Sequence, residues 1–258
     1  GVSVAPDRLR ATREAAMSGA RSDASLPLID PRLVWLARLQ RTRGARLLRF
    51  HAGQAVTREG EIPEAVAVVA EGVVTTLSRA ASGRVGVLSV LGPFDVVGHQ
   101  AVASEPAPET VPGVVALKES TLLTVPATSI AAVLRHDTLL LRGLAAAVAE
   151  QLDRAYLTLA RALTLPVIDR VWHALCDLAA RFGSPVPGGV EIMLPVSQDF
   201  LASMAGATRE SVNRAIRELR GSGAVRIENG RYVWSEAGTG MDPPLGMDTT
   251  QGRLPGLS

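Results

Sequence analysis

The sequence lacks the residues and segments from which several classes of protein are built. Cys176 is the only cysteine, which excludes an internal disulfide bond and any cysteine-built zinc or iron–sulfur site. No apolar run approaches the ~18 residues of a membrane span, and the most apolar stretch, 139–148, is interrupted by Arg142 and Gly143. The N-terminus has no long apolar segment of the kind found in secretory signals. We therefore expect a cytoplasmic protein without a membrane partner.

Lysine is nearly absent as well. Lys118 is the one lysine among the 27 basic residues. Together with 25 acidic residues they give a net charge of +2. Such a weak net charge does not by itself indicate binding to nucleic acid. Binding would be indicated if the arginines cluster on one surface. The 258 residues, 47% of them hydrophobic and 20% charged, suit a folded protein of two modest domains.

The sequence also lacks the common catalytic motifs. It contains no P-loop, no nucleophile elbow and no GxGxxG fingerprint. The four histidines, His51, His99, His136 and His173, have no spacing typical of metal ligands. We predict neither catalytic residues nor a metal site.

Changes in pattern along the chain predict five segments. They are a flexible N-terminal extension at 1–29, a β-rich domain at 30–135, a long helix at 136–164, a domain of helices and hairpins at 165–235, and a disordered tail at 236–258. In the β-rich domain, β-prone runs alternate with glycines and indicate a sandwich or barrel. The runs are Ala65–Ala70, Val73–Leu77, Val85–Leu91, Val96–Val97, Val114–Leu117 and Thr121–Val125.

The long helix carries a regular apolar seam. Its members follow one another at alternating spacings of four and three residues, and they are Leu141, Ala145, Val148, Leu152, Ala155, Leu159 and Ala162. A sustained heptad seam is typical of a helix that pairs with another helix. Pro166 ends the helix.

Two short helices separated by a tight turn follow in the C-terminal domain. A turn at 184–189 and a strand at Val190–Leu194 precede them. Ser197 is the predicted N-cap of the first helix, and Gly206 suits the left-handed position at its end. Thr208 is the predicted N-cap of the second helix. Its apolar residues follow helical spacing and must face the core; they are Val212, Ala215, Ile216 and Leu219.

The opposite face of this second helix has the chemistry of a DNA-contacting surface. Arginine forks match the acceptor pair of guanine, and glutamate accepts a hydrogen bond from cytosine. The residues on this face are Arg209, Glu210, Asn213, Arg214 and Arg217. An Asn-Gly pair at 229–230 then predicts a hairpin, or wing, in which Glu228 pairs with Arg231. The order of capped helix, turn, arginine-bearing helix and wing disfavours the alternative of a solvated amphipathic helix.

These segments resemble the Crp/Fnr family of bacterial transcription regulators. Thr208–Arg214 is similar to its recognition-helix signature, and the glycine-punctuated segments 50–61, 71–72 and 91–98 are similar to its cyclic-nucleotide-binding β-roll. The resemblance covers about residues 30 to 235. It implies an α+β fold with an N-terminal cyclic-nucleotide-binding-like β-roll, a long dimerisation helix and a C-terminal winged helix-turn-helix.

The resemblance implies a non-enzymatic regulator that binds double-stranded DNA as a homodimer and contacts RNA polymerase. Arg209, Glu210 and Arg214 take the positions that contact bases, with TGTGA-like half-sites as the hypothesis. The full predicted DNA-contacting set is Ser197, Gln198, Thr208, Arg209, Glu210, Ser211, Asn213, Arg214 and Arg217.

The predicted effector pocket departs from that of cAMP-responsive relatives. Those relatives hold the ribose with a glutamate where this chain has His99, after Gly98, and the phosphate with an Arg-Ser pair where it has Val111-Pro112. The intervening loop offers Glu105 and Glu109 but no arginine, although an anionic phosphate needs a charge-assisted donor. The complete predicted pocket comprises Gly98, His99, Gln100, Ala101, Val111, Pro112, Ala155 and Tyr156. We predict no cofactor with certainty, and cAMP stays open without its usual phosphate contacts.

Three alternatives stay open at this point. His99 is either a haem ligand or a structural histidine held by hydrogen bonds. Cys176 is either a small buried residue or a redox switch, and the latter needs an exposed, electropositive thiol. The β-rich domain also resembles cupin scaffolds of metal-dependent enzymes, although the clustered His-x-His pattern of such sites is absent.

Overall fold

The computed structural model describes residues 31–103 and 111–235. The predicted N-terminal extension, the predicted tail, Glu105 and Glu109 lie outside these ranges. The helices are α1 (Pro31–Gln40), α2 (Gln100–Ala103), α3 (Ala127–Leu134), α4 (Thr138–Thr164), α5 (Val167–Phe182), α6 (Gln198–Ala205) and α7 (Arg209–Gly221). The strands are β1 (Arg46–Phe50), β2 (Ala55–Thr57), β3 (Ala65–Glu71), β4 (Val74–Arg79), β5 (Val85–Leu91), β6 (Val96–Val97), β7 (Gly113–Ala116), β8 (Ser120–Pro126), β9 (Gly183–Val186), β10 (Gly189–Ile192), β11 (Val225–Glu228) and β12 (Arg231–Ser235).

The N-terminal strands form two antiparallel four-stranded sheets. Their strand orders are β1-β8-β3-β6 and β2-β7-β4-β5. Strand β3 is buried on both faces because its side chains alternate between two cores. Val66 and Val68 pack toward the helices, whereas Ala67 and Val69 pack against residues of the second sheet. The predicted β-roll is therefore confirmed, with all six predicted runs present as strands.

A helical layer covers the outer face of the first sheet. Trp35 of α1, Ile130 of α3 and Leu140 of α4 share one core with that sheet. Helix α4 begins at an N-cap whose carboxylate, from Asp137, accepts a hydrogen bond from the Leu140 N–H at 3.0 Å. The first half of α4 is thereby fixed to the β-roll.

The second half of α4 leaves the domain. From Ala155 to Ala160 every residue is exposed. The ion pair of Arg161 with Asp177, at 2.5 Å, ties the end of the helix to α5. Six of the seven predicted seam residues are exposed, whereas Val148 is half-buried against the core of its own domain. The seam thus begins where the helix still packs on the β-roll.

The C-terminal domain packs three helices on a four-stranded sheet of order β11-β12-β10-β9. Its core contains Trp172 and Trp234, whose ring centroids are 6.3 Å apart, together with Leu201 and Leu219. The prediction of a turn over 184–189 was wrong. The turn occupies only 187–188, and β9 precedes it as an edge strand, where a sheet tolerates a residue such as Pro185.

Two absences apply to the described ranges. No helix within 31–103 or 111–235 is long and apolar enough to cross a membrane. The same residues contain no group of three or more histidine, cysteine, aspartate or glutamate side chains that could hold a metal ion.

Candidate nucleic-acid interface

The turn between α6 and α7 is built by local capping. The Ser197 hydroxyl accepts a hydrogen bond from the Phe200 N–H at 3.1 Å, and the Thr208 hydroxyl accepts one from the Ser211 N–H at 3.3 Å. Between the helices Gly206 adopts the left-handed conformation, with φ of 59° and ψ of 35°, where a side chain would strain the backbone. All three predicted capping positions are confirmed.

Helix α7 has one buried and one exposed face. The four apolar residues predicted to face the core are at most 4% exposed; they are Val212, Ala215, Ile216 and Leu219. The opposite face exposes four arginines and two glutamates: Arg209, Glu210, Arg214, Arg217, Glu218 and Arg220. The helix therefore presents a basic ridge whose backbone is held by the core beneath it.

The exposed side chains of α7 differ in whether they already have hydrogen-bond or ion-pair partners. Arg209 forms an ion pair with Asp199 of α6 at 3.3 Å, in which both side chains are about two-thirds exposed (63% and 67%). The Arg217 Nε donates to the Asn213 carbonyl oxygen at 3.3 Å. The side chains of Glu210 and Arg214 make no hydrogen bond or ion pair with any other residue that the structure describes. These two side chains are thus available to a ligand without breaking a contact.

Three residues of the predicted DNA-contacting set are less available. Asn213 is half-buried, and its Oδ1 is enclosed without a partner among the described residues. The Ser211 hydroxyl lies 3.0 Å from the Thr208 hydroxyl within the helix cap. Gln198 is half-buried at the start of α6, next to exposed Ser197. The structure therefore brings Arg209, Glu210, Arg214 and Arg217 together beside the Thr208 cap. The side chains of Ser211, Asn213 and Gln198 are less accessible.

The wing follows the predicted register. Glu228 pairs with Arg231, and Ile227 pairs with Tyr232. Asn229 and Gly230 have φ of 51° and 77°, the two positive values that a type I′ turn requires. The hairpin lies beside the end of α7.

Sequence reasoning missed two arginines in the groove between α7 and the wing. Arg220 lies exposed on one side, and Arg226 lies on the other. The Arg226 guanidinium donates to Glu228 at 2.9 Å and to the Pro187 carbonyl oxygen at 3.1 Å, so it joins the wing to the β9–β10 turn. The three-residue spacing of Arg217 and Arg220 could have indicated the basic edge of this groove.

The predicted effector pocket is only partly assembled within one chain. His99 is half-buried, its Nδ1 has no partner among the described residues, and burial lowers its pKa. Val111 is buried, and its carbonyl oxygen accepts a hydrogen bond from the Gly60 N–H at 2.9 Å. Ala155 and Tyr156 lie on the exposed half of α4, and Tyr156 is 60% exposed. The tyrosine therefore does not fill the pocket of its own chain.

Cys176 lies in the core of the C-terminal domain. The residue is fully buried, and burial strongly raises the pKa of its thiol. These surroundings are those of a small core residue, the first of the two interpretations of Cys176 that the sequence left open. They lack the exposure and positive potential that a redox switch requires.

Two family models match the chain on either side of the exposed half of α4. One describes a cyclic nucleotide-binding domain and matches residues 47–137; the other describes a Crp-like helix-turn-helix domain and matches residues 169–235. The chain belongs to the Crp/Fnr family. The resemblance seen in the sequence is confirmed, and this Crp/Fnr protein is a DNA-binding transcription regulator with an α+β fold.

Curated relatives and solved structures agree with this assignment. The CRP-like cAMP-activated global transcriptional regulator of Mycobacterium tuberculosis is 26% identical over 196 residues, 76% of this chain and 87% of the relative. The Cyclic AMP receptor protein of Thermus thermophilus is 28% identical over 188 residues, 73% and 83% of the two chains.

Among solved structures, the c-di-GMP responsive regulator CLP of Xanthomonas campestris superposes with a TM-score of 0.68 at 20% identity, covering 79% of this chain and 99% of its own. FixK2 of Bradyrhizobium japonicum gives a TM-score of 0.64 at 23% identity, with 74% and 92% covered. These similarities show the shared fold.

Proposed function

We propose that this Crp/Fnr regulator binds palindromic DNA with TGTGA-like half-sites as a homodimer, and that Arg209, Glu210 and Arg214 contact the bases. The observation that carries the proposal is the basic ridge of α7, which is capped, exposed and held by a buried face. Such a helix enters the major groove with its N-terminal residues at the base edges. The free N–H groups of its first turn favour a phosphate beside it.

The exposed arginines make different contacts with DNA according to their position along α7. Arg209 and Arg214 lie in the first half of α7, where bidentate contacts to guanine specify sequence. Arg217 and Arg220 lie in the second half, beside the groove to the wing, where phosphate contacts fix the register of the protein on the duplex. Asp199 orients Arg209 through their ion pair and keeps its guanidinium on the side of α6.

Support for the homodimer comes from the exposed half of α4. Leu152 and Leu159 are 48% and 55% exposed in the single chain, and Tyr156 and Leu157 lie beside them. A helix that is exposed all round while carrying an apolar seam is stable when it pairs with a partner. A two-fold dimer then places two copies of α7 one helical turn of DNA apart, about 34–36 Å.

We propose that this regulator does not bind cAMP through the contacts that its cAMP-responsive relatives use. The curated relatives are named for cAMP, whereas the X. campestris regulator is described as responsive to c-di-GMP, so family membership leaves the effector open. The segments that carry His99 and Val111, residues 98–103 and 111–113, contain no arginine to supply the usual phosphate contact. Titration calorimetry with cAMP tests this directly, and a micromolar affinity would contradict it.

Two further parts of the proposal follow from its being a bacterial DNA-binding regulator. We infer that it acts in the cytoplasm and that RNA polymerase is a partner. The alternative of a cupin-like enzyme has no observation in its favour, because the described residues contain no candidate metal cluster.

Selection of bound sequences from a random DNA library tests the proposed site. We expect a palindrome with TGTGA-like half-sites whose centres are about ten base pairs apart. Bandshifts with Arg209→Ala and Arg214→Ala should then show a changed preference at individual base positions. Arg58→Ala is the matched control, because Arg58 is an exposed arginine of the β-roll. Selection of an unrelated or non-palindromic site would contradict the proposal.

A further inference from the structure

One buried carboxylate connects three parts of the molecule. Asp95, between β5 and β6, is 7% exposed. Its Oδ2 accepts hydrogen bonds from the Gly92 N–H at 2.8 Å and from Arg181 of α5 at 2.5 Å. Its Oδ1 accepts one from Arg154 of α4. A single side chain of the β-roll therefore holds both the long helix and the first helix of the DNA-binding domain.

The contact with α5 is packed as well as charged. The second guanidinium nitrogen of Arg181 donates to the Val90 carbonyl oxygen at 2.6 Å, and the guanidinium stacks over the Phe182 ring at 4.8 Å. That ring lies so close to Gly92 that a Cβ added there would come within 2.6 Å of it. Val73 and Val90 of the β-roll belong to the core of the DNA-binding domain. The last turn of α5 is thus docked on the β-roll in one defined position.

The contact with α4 continues along the same segment. The Gln151 side chain binds the backbone of Val96 twice, accepting from its N–H at 2.9 Å and donating to its carbonyl oxygen at 3.0 Å. Arg154, one turn further along α4, holds Asp95. The predicted effector-pocket residues begin at Gly98, three residues after Asp95. A shift of the pocket wall therefore acts on the segment 92–98, which carries the buried carboxylate.

A second contact reaches the helix-turn-helix itself. Arg84, at the tip of the β4–β5 hairpin, donates to the carbonyl oxygen of Ala207 at 3.4 Å. Ala207 lies in the turn directly before the Thr208 cap of α7. The orientation of α7 relative to the β-roll is consequently determined at two places, the last turn of α5 and the turn before α7.

Asp95 carries the negative charge that joins α4 and α5 to the β-roll. It is the counter-charge for two guanidinium groups, Arg154 and Arg181, whose side chains are 33% and 29% exposed. Loss of the carboxylate would leave two partly buried positive charges facing each other, with exposed Glu150, 4.0 Å from Arg154, as the nearby counter-charge. Loss of either arginine alone leaves the carboxylate with the other arginine and with the Gly92 N–H.

We propose that Asp95 is a positioning residue that sets the orientation of the DNA-binding domain on the β-roll, and that the segment 92–98 transmits changes in the effector pocket to α7 through its pair with Arg181. The proposal rests on the DNA-binding function of the family and adds to it the residues that couple the two domains. It does not depend on the identity of the effector.

A double-mutant cycle on DNA affinity tests the coupling. We expect Asp95→Asn and Arg181→Met each to change the dissociation constant for the selected palindrome by at least about fivefold, the lower end of usual coupling effects. The change in the double variant should fall short of the sum of the two single changes, because Arg181 acts through Asp95. A fall in affinity identifies the docked orientation as the one that binds DNA, and a rise identifies it as the inactive one. Arg38→Met is the matched control, since Arg38 forms an ion pair with Asp137, at 2.7 Å, inside the β-roll domain.

A distance measurement without DNA separates this proposal from the proposed binding site. Spin labels at Ser82→Cys on the β4–β5 turn and Glu218→Cys on α7 report the orientation, with Cys176→Ala removing the native thiol. Labelled chains are diluted with an excess of unlabelled chains so that each pair lies within one protomer. We expect one narrow distance distribution in the parent protein and a broadened or shifted one in Asp95→Asn and Arg181→Met. Unchanged distances, or additive effects on affinity in the folded double variant, would overturn the proposal, whereas failure to bind the palindrome would concern only the DNA site.

Discussion

Replacing two exposed leucines of α4 should dissociate the proposed homodimer. Leu152 and Leu159 are 48% and 55% exposed in the single chain, and burying a whole leucine side chain contributes roughly 1.5–3 kcal/mol. About half of each side chain is left to bury, which corresponds to about 1 kcal/mol per leucine. Leu152→Ala with Leu159→Ala removes four such side chains from a symmetric dimer, or about 4 kcal/mol, so the dissociation constant should rise roughly 10³-fold.

Sedimentation velocity over a concentration series measures this change. The control pair is Leu47→Ala with Leu48→Ala on the edge strand β1, because these leucines are 54% and 43% exposed but lie away from α4. We expect the control variant to dimerise like the parent protein. Equal dissociation constants for the parent and the α4 variant would refute the assignment of α4 as the dimer helix.

Three further predictions concern stability and reactivity. Thr208→Ala removes the cap that accepts from the Ser211 N–H and should lower the free energy of unfolding by about 1 kcal/mol, measured by urea denaturation, whereas Thr208→Ser should keep it. The Cys176 thiol is buried and its pKa is raised, so Ellman's reagent should react with it only in denaturant; rapid reaction of the native protein would contradict this placement. Burial lowers the pKa of His99 and His173 in the folded protein. The unfolded chain therefore binds their protons more readily, and the free energy of unfolding should fall as the pH drops below about 6.5. Substituting both histidines by asparagine should flatten this fall in a pH series of urea denaturations.

The sequence predicted the helix-turn-helix well because its signals are local. Ser197, Gly206 and Thr208 act on N–H and carbonyl groups within a few residues, so type and spacing suffice to place both helix ends. The register of the wing followed from Asn229 and Gly230 for the same reason. Helix α4 was also predicted from periodicity alone, whereas the pairing of its heptad seam with a second chain stays a prediction.

The contacts between domains could not be predicted in this way. Asp95 bonds to Arg154 and Arg181, which lie 59 and 86 residues along the chain, and no spacing rule connects them. Val148 belongs to the heptad pattern but packs on its own domain, because α4 has not yet left the β-roll at that point. Strand β9 was missed since Pro185 reads as a turn signal, and only its place at the sheet edge makes it compatible with a strand.

The specificity of Arg214 gives the most direct test of the central claim, that α7 contacts DNA bases. The dissociation constants of the parent protein and of Arg214→Ala are compared on the selected palindrome and on scrambled DNA. Arg220→Ala is the control, from the end of the helix that is proposed to contact phosphates. For Arg214→Ala we expect a loss of about 1–3 kcal/mol, or roughly 5- to 150-fold per half-site, on the palindrome alone. For Arg220→Ala we expect a similar weakening on both DNAs. Equal losses on the palindrome and on scrambled DNA for Arg214→Ala would contradict base contact by this helix.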